Sequence, residues 1–128
     1  MCQNALGMES GAISDAQISA STEWSTSYAA IYSRLYFRGN EHIKGAWAAK
    51  TNDANQWLQI DLIGQDSFVT RVATQGRHDF VQWVTQYRLQ YSNDSLTFLD
   101  YREDGKIAIK VKYLTNQINH IFLCSQFF

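Results

Sequence analysis

Residues 56–62 alternate between apolar and polar side chains with a period of two. The apolar side chains on one face are Leu58, Ile60 and Leu62. The side chains on the other face are Trp57, Gln59 and Asp61. Successive side chains of a β-strand point to opposite faces, so this pattern predicts a strand with its aliphatic face against a core.

Four further segments show the strand period, in whole or in part. They are residues 68–75, 83–92, 97–101 and 106–113. Asp104-Gly105, which separates the last two segments, is a dipeptide typical of tight hairpin turns. At least five strands without a long helical stripe predict an antiparallel β-sandwich or barrel.

Three segments between these strands have neither the strand period nor a helical stripe, and we predict that they are loops. They are residues 21–32, 37–44 and 77–82. In the first loop Trp24 has only polar neighbours, which favours an exposed indole. No internal repeat or linker divides the 128 residues, so we expect a single domain, 1–128.

Composition and charge exclude several classes of function. The formal net charge is -1, whereas a nucleic-acid surface needs a basic excess. No apolar run reaches the roughly 18 residues that a membrane-spanning helix requires. Met1 is not followed by a signal peptide, which leaves a cytosolic protein or a domain of a longer secreted chain as alternatives.

The sequence lacks the motifs of enzymes and metal proteins. His42, His78 and His120 have no metal-ligand spacing with a cysteine or a carboxylate. No nucleophile elbow, Gly-rich phosphate loop or paired-acid motif occurs, so we expect neither catalysis nor a cofactor. Cys2 and Cys124 lie near opposite ends without CxxC spacing, which leaves an end-to-end disulfide open.

Six short motifs follow one another in a recognisable order. They are residues 2–11, 18–21, 46–47, 56–62, 73–77 and 84–92. Over about residues 2–105 they resemble the discoidin domain, also called the coagulation factor V/VIII type C domain. The resemblance implies an eight-stranded, jelly-roll-like β-barrel of the galactose-binding-like kind. It also implies an extracellular adhesion module without catalytic activity.

The family pattern is lost after about Lys112. The family's last two strands and final cysteine motif have no counterpart in the remaining sequence, so we expect incomplete closing strands and unpaired sheet edges. In the family the first cysteine, here Cys2, forms a disulfide with that final cysteine. Cys124 does not lie in the closing motif, so the partner of Cys2 stays open.

The resemblance places the binding surface on the three loops, at one end of the barrel. The candidate ligand-binding residues are Trp24, Ser25, Phe37, Arg38, His42, Ile43, Lys44, Arg77, His78, Phe80 and Val81. If the loops lie together, Arg38, Lys44 and Arg77 would give their rim a basic character.

The expected partner is an extracellular protein, a glycan or a phospholipid surface, with no nucleic acid. Residues 21–30 and 74–78 are similar to the collagen-binding discoidin domain receptors. Tyr28 and Lys44 depart from those receptors, so collagen is one option among several. The alternatives are a peripheral module that binds anionic phospholipid and a carbohydrate-binding, lectin-like domain. We expect an extracellular or cell-surface location within a longer secreted or membrane-anchored protein.

Three further predictions concern single residues. Trp47 and Trp57 adjoin strand motifs and should pack in the core or at its rim. Asp61 should pair with a cation, for which Arg34 is the candidate. Asn93-Asp94-Ser95 fits the acceptor sequence for N-glycosylation and lies on a predicted turn.

Overall fold

The computed structural model describes residues 4–62, 69–111 and 121–125. These residues form eleven short strands and three 3-10 helices, without an α-helix in the described ranges, which confirms the all-β class. The strands are β1 Asn4–Ala5, β2 Ile18–Ala20, β3 Leu58–Ile60, β4 Val69–Thr74, β5 Gln86–Arg88, β6 Gln90–Tyr91, β7 Leu99–Asp100, β8 Arg102–Glu103, β9 Lys106–Ile107, β10 Ile109–Val111 and β11 Ile121–Ser125. The 3-10 helices are Asp15–Gln17, Thr26–Tyr28 and Ala30–Ser33.

The chain divides into two compact units, one of Met1–Trp83 with Asn116–Phe128 and the other of Val84–Thr115. In the first unit β11 lies between β1 and β4 and pairs antiparallel with both. One strand, β11, therefore does follow Lys112, and the expectation of incomplete closing strands is corrected to that extent. Residues 121–125 lack the family's closing motif, but their backbone supplies donors and acceptors to two neighbouring strands.

Some sequence-based predictions fall on residues outside the described ranges. These residues are Cys2, Phe68, Tyr113 and His120. The pairing of Cys2 with Cys124 accordingly stays a prediction.

The core of the first unit forms beside the antiparallel pair of β2 and β3, in which Ile18 is opposite Ile60. The buried cluster is Leu6, Met8, Ile13, Ile18 and Ala30. Leu58, Ile60 and Leu62 pack against this cluster, which confirms the face predicted from the alternation. Trp47 also packs there, whereas Trp57 is 50% exposed and lies outside the cluster.

Arg34 joins the end of helix Ala30–Ser33 to the core. Its Nη1 donates to the backbone oxygens of Met8 (3.1 Å) and Ile13 (2.8 Å), and its Nη2 forms an ion pair with Asp15. The predicted pairing of Arg34 with Asp61 is wrong, because the ion pair that Arg34 forms among the described residues is with Asp15. Asp61 instead joins Gln17 through backbone groups, where its N–H donates to the Gln17 carbonyl oxygen.

The second unit consists of short antiparallel pairs. The alternation of residues 83–92 predicts one strand, but the structure divides them into β5, which pairs with β10, and β6, which pairs with β7. The strand is interrupted because its two halves take different partners. The predicted hairpin at Asp104-Gly105 is confirmed: β8 pairs with β9, and both turn residues have positive φ, at 50° and 75°.

Candidate functional site

The first loop, residues 21–32, holds its backbone against the neighbouring chain while Trp24 points outward. The Trp24 N–H donates to the Ala48 carbonyl oxygen at 2.8 Å, and the Glu23 carboxylate accepts from the Ala30 N–H at 2.7 Å. The Trp24 side chain is 65% exposed. A fixed backbone with a free indole suits contact with another surface, because indole offers a large apolar area and one polar group.

The second loop, residues 37–44, is closed by Asn40. Its side-chain oxygen accepts from the N–H groups of His42 and Ile43, both at 2.9 Å, and its own N–H donates to the Ile43 carbonyl oxygen. A Cβ at Gly39 would lie 2.2 Å from that same oxygen, so the turn requires glycine there. The absence of a strand or helix period predicts a loop here, but it does not predict this closure by Asn40.

The third loop, residues 77–82, is built around Arg77. The guanidinium forms two hydrogen bonds with the Asp79 carboxylate, at 2.6 and 3.1 Å, and a third with Gln82 at 3.1 Å. The Arg77 N–H also donates to the Gln82 carbonyl oxygen. The hydrogen bonds from Arg77 hold the pKa of Asp79 below its ordinary value. Phe80 and Val81, at the tip of this closed loop, are 59% and 63% exposed.

The first loop contacts both of the other loops. The guanidinium carbon of Arg77 lies 5.2 Å from the centroid of the Tyr28 ring and 5.3 Å from that of Phe80, which joins the third loop to the first. The Lys44 N–H donates to the Ser27 carbonyl oxygen at 2.9 Å, which joins the second loop to the first. We refer to residues 21–32, 37–44 and 77–82 together as the loop surface.

The candidate residues differ in accessibility. The exposed ones are Trp24, Ser25, Arg38, His42, His78, Phe80 and Val81. The half-buried ones are Phe37, Ile43, Lys44 and Arg77. Phe37 stacks on Tyr32, with ring centroids 5.3 Å apart. Sequence reasoning missed Tyr28 as the support of Arg77, and no local pattern marks that contact.

The loop surface has no excess of positive charge. Its cations are Arg38, Lys44 and Arg77, and its acids are Glu23, Glu41 and Asp79. Arg77 also pairs with Asp79 and stacks on two aromatic rings. Because the cations and acids are equal in number, the loop surface lacks the basic rim expected from the sequence. The exposed apolar groups of this surface are Trp24, Phe80 and Val81.

An open depression of about 470 Å³ lies between the first and second loops. Its lining residues are Thr26, Ser27, Tyr32, Glu41, His42 and Ile43. These residues provide hydroxyl, carboxylate and imidazole groups beside one aromatic ring. In the part of the chain that the structure describes, no group of three or more His, Cys, Asp or Glu side chains could hold a metal ion.

The Arg77–Asp79 pair predicts a small pH dependence of stability. Because the folded-state pKa of Asp79 is lowered, the pair contributes fully above the ordinary value of 3.8 and is lost as pH falls through the lower folded value. Asp79 is 43% exposed, so we expect a contribution of about 1 kcal/mol or less. Thermal unfolding of wild type and Asp79→Asn should differ at neutral pH and converge in acid. Glu41→Gln is the control, and an Asp79→Asn difference that persists in acid would contradict the pair's role.

The sequence of this chain is similar to those of known proteins. The sequence profile described as the F5/8 type C domain matches residues 17–123, which is past Lys112, where the motif resemblance was lost. Among curated relatives, lactadherin of Bos taurus is 37% identical over 118 residues, covering 86% of this chain and 27% of the relative. Retinoschisin of Takifugu rubripes is 40% identical over 104 residues, covering 77% and 36%.

A third relative extends the match. Coagulation factor V of Sus scrofa is 36% identical over 123 residues, covering 91% of this chain and 5% of the relative. The chain spans about a quarter of the length of the lactadherins it matches. Among the described residues, no helix has the length and apolar content needed to cross a membrane. The matched profile and the three relatives agree, and the chain belongs to the F5/8 type C domain family, the discoidin domains.

Proposed function

We propose that this chain is an extracellular recognition and adhesion module that attaches through its loop surface to a phospholipid membrane. The observation that carries the proposal is the exposure of Trp24, Phe80 and Val81 on loops whose backbones are held by hydrogen bonds. Each side chain would gain about 1.5–3 kcal/mol from full burial in an apolar environment. A membrane interface accepts such side chains without a shape-matched groove, and tryptophan is enriched there.

The charge balance of the loop surface shapes the expected mode of attachment. Three cations and three acids cancel by count, so insertion of the apolar tips dominates over attraction to anionic headgroups. Attachment should therefore weaken only modestly as salt rises. A module that worked by charge alone would lose most of its binding under the same change.

A glycan is the second candidate ligand, favoured by the depression between the first two loops. Sugar rings combine hydroxyl groups with an apolar face, and the lining offers polar groups beside Tyr32. Collagen is less well supported, because Tyr28, one of the two departures from the collagen-binding receptors, stacks on Arg77 here. Collagen and glycans are therefore alternative outcomes of the experiment.

We place the module outside the cell, within a longer secreted or membrane-anchored protein, and propose that it closes into the eight-stranded jelly-roll-like barrel of its family. Support comes from the family assignment, from the pairing of β11 with β1 and β4, and from relatives that are several times longer than the matched region.

The test is sedimentation of the purified chain with vesicles of phosphatidylcholine, with and without phosphatidylserine, and with collagen fibrils, at two salt concentrations. The loop variant replaces both Phe80 and Val81 by serine. The matched control replaces Leu96 and Leu99 by serine, which removes two exposed aliphatic side chains from the second unit.

We expect wild type and the control to sediment with vesicles and the loop variant to remain in solution. Wild type that stays in solution with every vesicle would overturn the membrane proposal, as would a loop variant that sediments fully. Binding to collagen alone would identify a protein ligand. The same chain is also applied to a glycan array, and binding there without vesicle binding would favour the second candidate.

A further inference from the structure

The turn between β6 and β7 lies outside the loop surface and contains a sequence motif of its own. Asn93-Asp94-Ser95 is the one N-x-Ser/Thr sequence in the chain, where x is any residue except proline. Asp94 organises this turn: its Oδ1 accepts from the N–H groups of Leu96 (2.9 Å) and Thr97 (2.8 Å) and from the Ser92 hydroxyl. These backbone hydrogen bonds lower the pKa of Asp94 to about 2. The carboxylate therefore stays charged and directed into its own turn.

Asn93 and Ser95 both remain accessible. Within the described residues, the side-chain hydrogen bonds of this turn are made by Ser92 and Asp94, and none uses the Asn93 amide. Both Asn93 and Ser95 are exposed. A bulky group on the Asn93 nitrogen would therefore displace no contact of the turn.

Exposed apolar side chains lie in the same turn and in the two strands that flank it. Leu96 is 86% exposed, and Tyr91 and Leu99 are also exposed. Tyr91, Asn93 and Leu99 help to line a shallow depression of about 190 Å³. Exposed apolar side chains grouped at one turn favour association between chains unless something covers them.

We propose that Asn93 carries an N-linked glycan that covers Leu96 and its apolar neighbours. The side-chain nitrogen of Asn93 forms a bond to the anomeric carbon of a lipid-linked oligosaccharide. The bond from that carbon to the pyrophosphate oxygen breaks, and the lipid pyrophosphate leaves with the electron pair. The amide gives up one proton to a base of the transferase. The inference rests on the extracellular location in the proposed function, since this transfer takes place in the secretory pathway.

The experiment expresses the full chain behind a secretion signal in cultured animal cells and measures its intact mass before and after peptide N-glycosidase F. Two variants remove the acceptor in different ways. Asn93→Gln removes the acceptor nitrogen, and Ser95→Gly removes the hydroxyl. Ser95 has a positive φ of 58°, so glycine fits that backbone at least as well as serine and should not disturb folding. Asn52→Gln, at an exposed asparagine outside the sequence motif, is the control.

Wild type and Asn52→Gln should carry a glycan-sized mass that the enzyme removes, and both acceptor variants should lack it. Secreted wild type without the added mass would overturn the modification. The enzyme-treated chain should bind a hydrophobic dye more strongly and aggregate sooner than the glycosylated chain, and Leu96→Ser should reverse both changes. Equal dye binding with and without the glycan would overturn the covering role. Vesicle sedimentation of the same samples tests the proposed function separately, so the two failures are distinguishable.

Discussion

Trp24→Ala is expected to weaken attachment to the membrane surface by roughly 30-fold, corresponding to about 2 kcal/mol of binding free energy. The indole is mostly exposed in the free protein, while its backbone N–H is fixed to the Ala48 carbonyl oxygen. Burial on binding therefore gains a large apolar area with little ordering of the loop. Equilibrium titration with vesicles should show the lower affinity.

The controls separate loss of the indole from loss of the fold. Trp24→Phe keeps an aromatic side chain and should retain most of the affinity. Trp57→Ala removes another exposed indole outside the loop surface and should bind like wild type. The thermal midpoint of Trp24→Ala should match that of wild type. Equal affinities of wild type and Trp24→Ala would contradict the role of this residue, and so would an equal loss in Trp57→Ala.

Arg34→Ala is expected to lower the free energy of unfolding by about 3 kcal/mol, which urea denaturation would measure. The change leaves the carbonyl oxygens of Met8 and Ile13, two fully buried residues, without the guanidinium that donates to them. Each buried acceptor without a partner costs about 1–3 kcal/mol. Arg34→Lys should fall between wild type and Arg34→Ala, since an ammonium group cannot reproduce the planar fork.

Asp15→Ala is the matched variant for Arg34. It removes the ion pair at the exposed end of the guanidinium but leaves both carbonyl contacts, so it should cost about 1 kcal/mol or less. If Arg34→Ala and Asp15→Ala were equally stable, the two backbone contacts would contribute little. The proposed link between helix Ala30–Ser33 and the core would then be wrong.

Local pattern was sufficient to predict the elements that carry a regular period. The alternation at 56–62 identified the buried face of β3, and Asp104-Gly105 identified a hairpin. The pattern of side chains was not sufficient to predict strands whose extent depends on a partner strand distant in sequence. Residues 83–92 alternate without a break, yet β5 and β6 pair with different strands, and nothing within the segment encodes that division.

The same limit applies to the loop surface. The second and third loops and the exposure of Trp24, Phe80 and Val81 could be predicted, because polar neighbours and the absence of a period mark them. The two 3-10 helices that the structure places in the first loop, Thr26–Tyr28 and Ala30–Ser33, were not predicted. The contacts of Arg77 could not be predicted, since its ring partner Tyr28 is far away in sequence. Arg34 shows the same difficulty: a charged residue near a core can be inferred, whereas its partner depends on the packed structure.

The position of β11 also sets when this protein can fold during its own synthesis. β1 leaves the ribosome early, but its partner strand is made long afterwards, and the same strand is needed to cover β4. Until Ser125 has emerged, two nascent strands have backbone groups that can pair with neighbouring polypeptides. Contacts between distant parts of a chain also form slowly. Chaperones that shield strand edges in the compartment where the chain folds should therefore raise the yield of folded protein more than slower translation would.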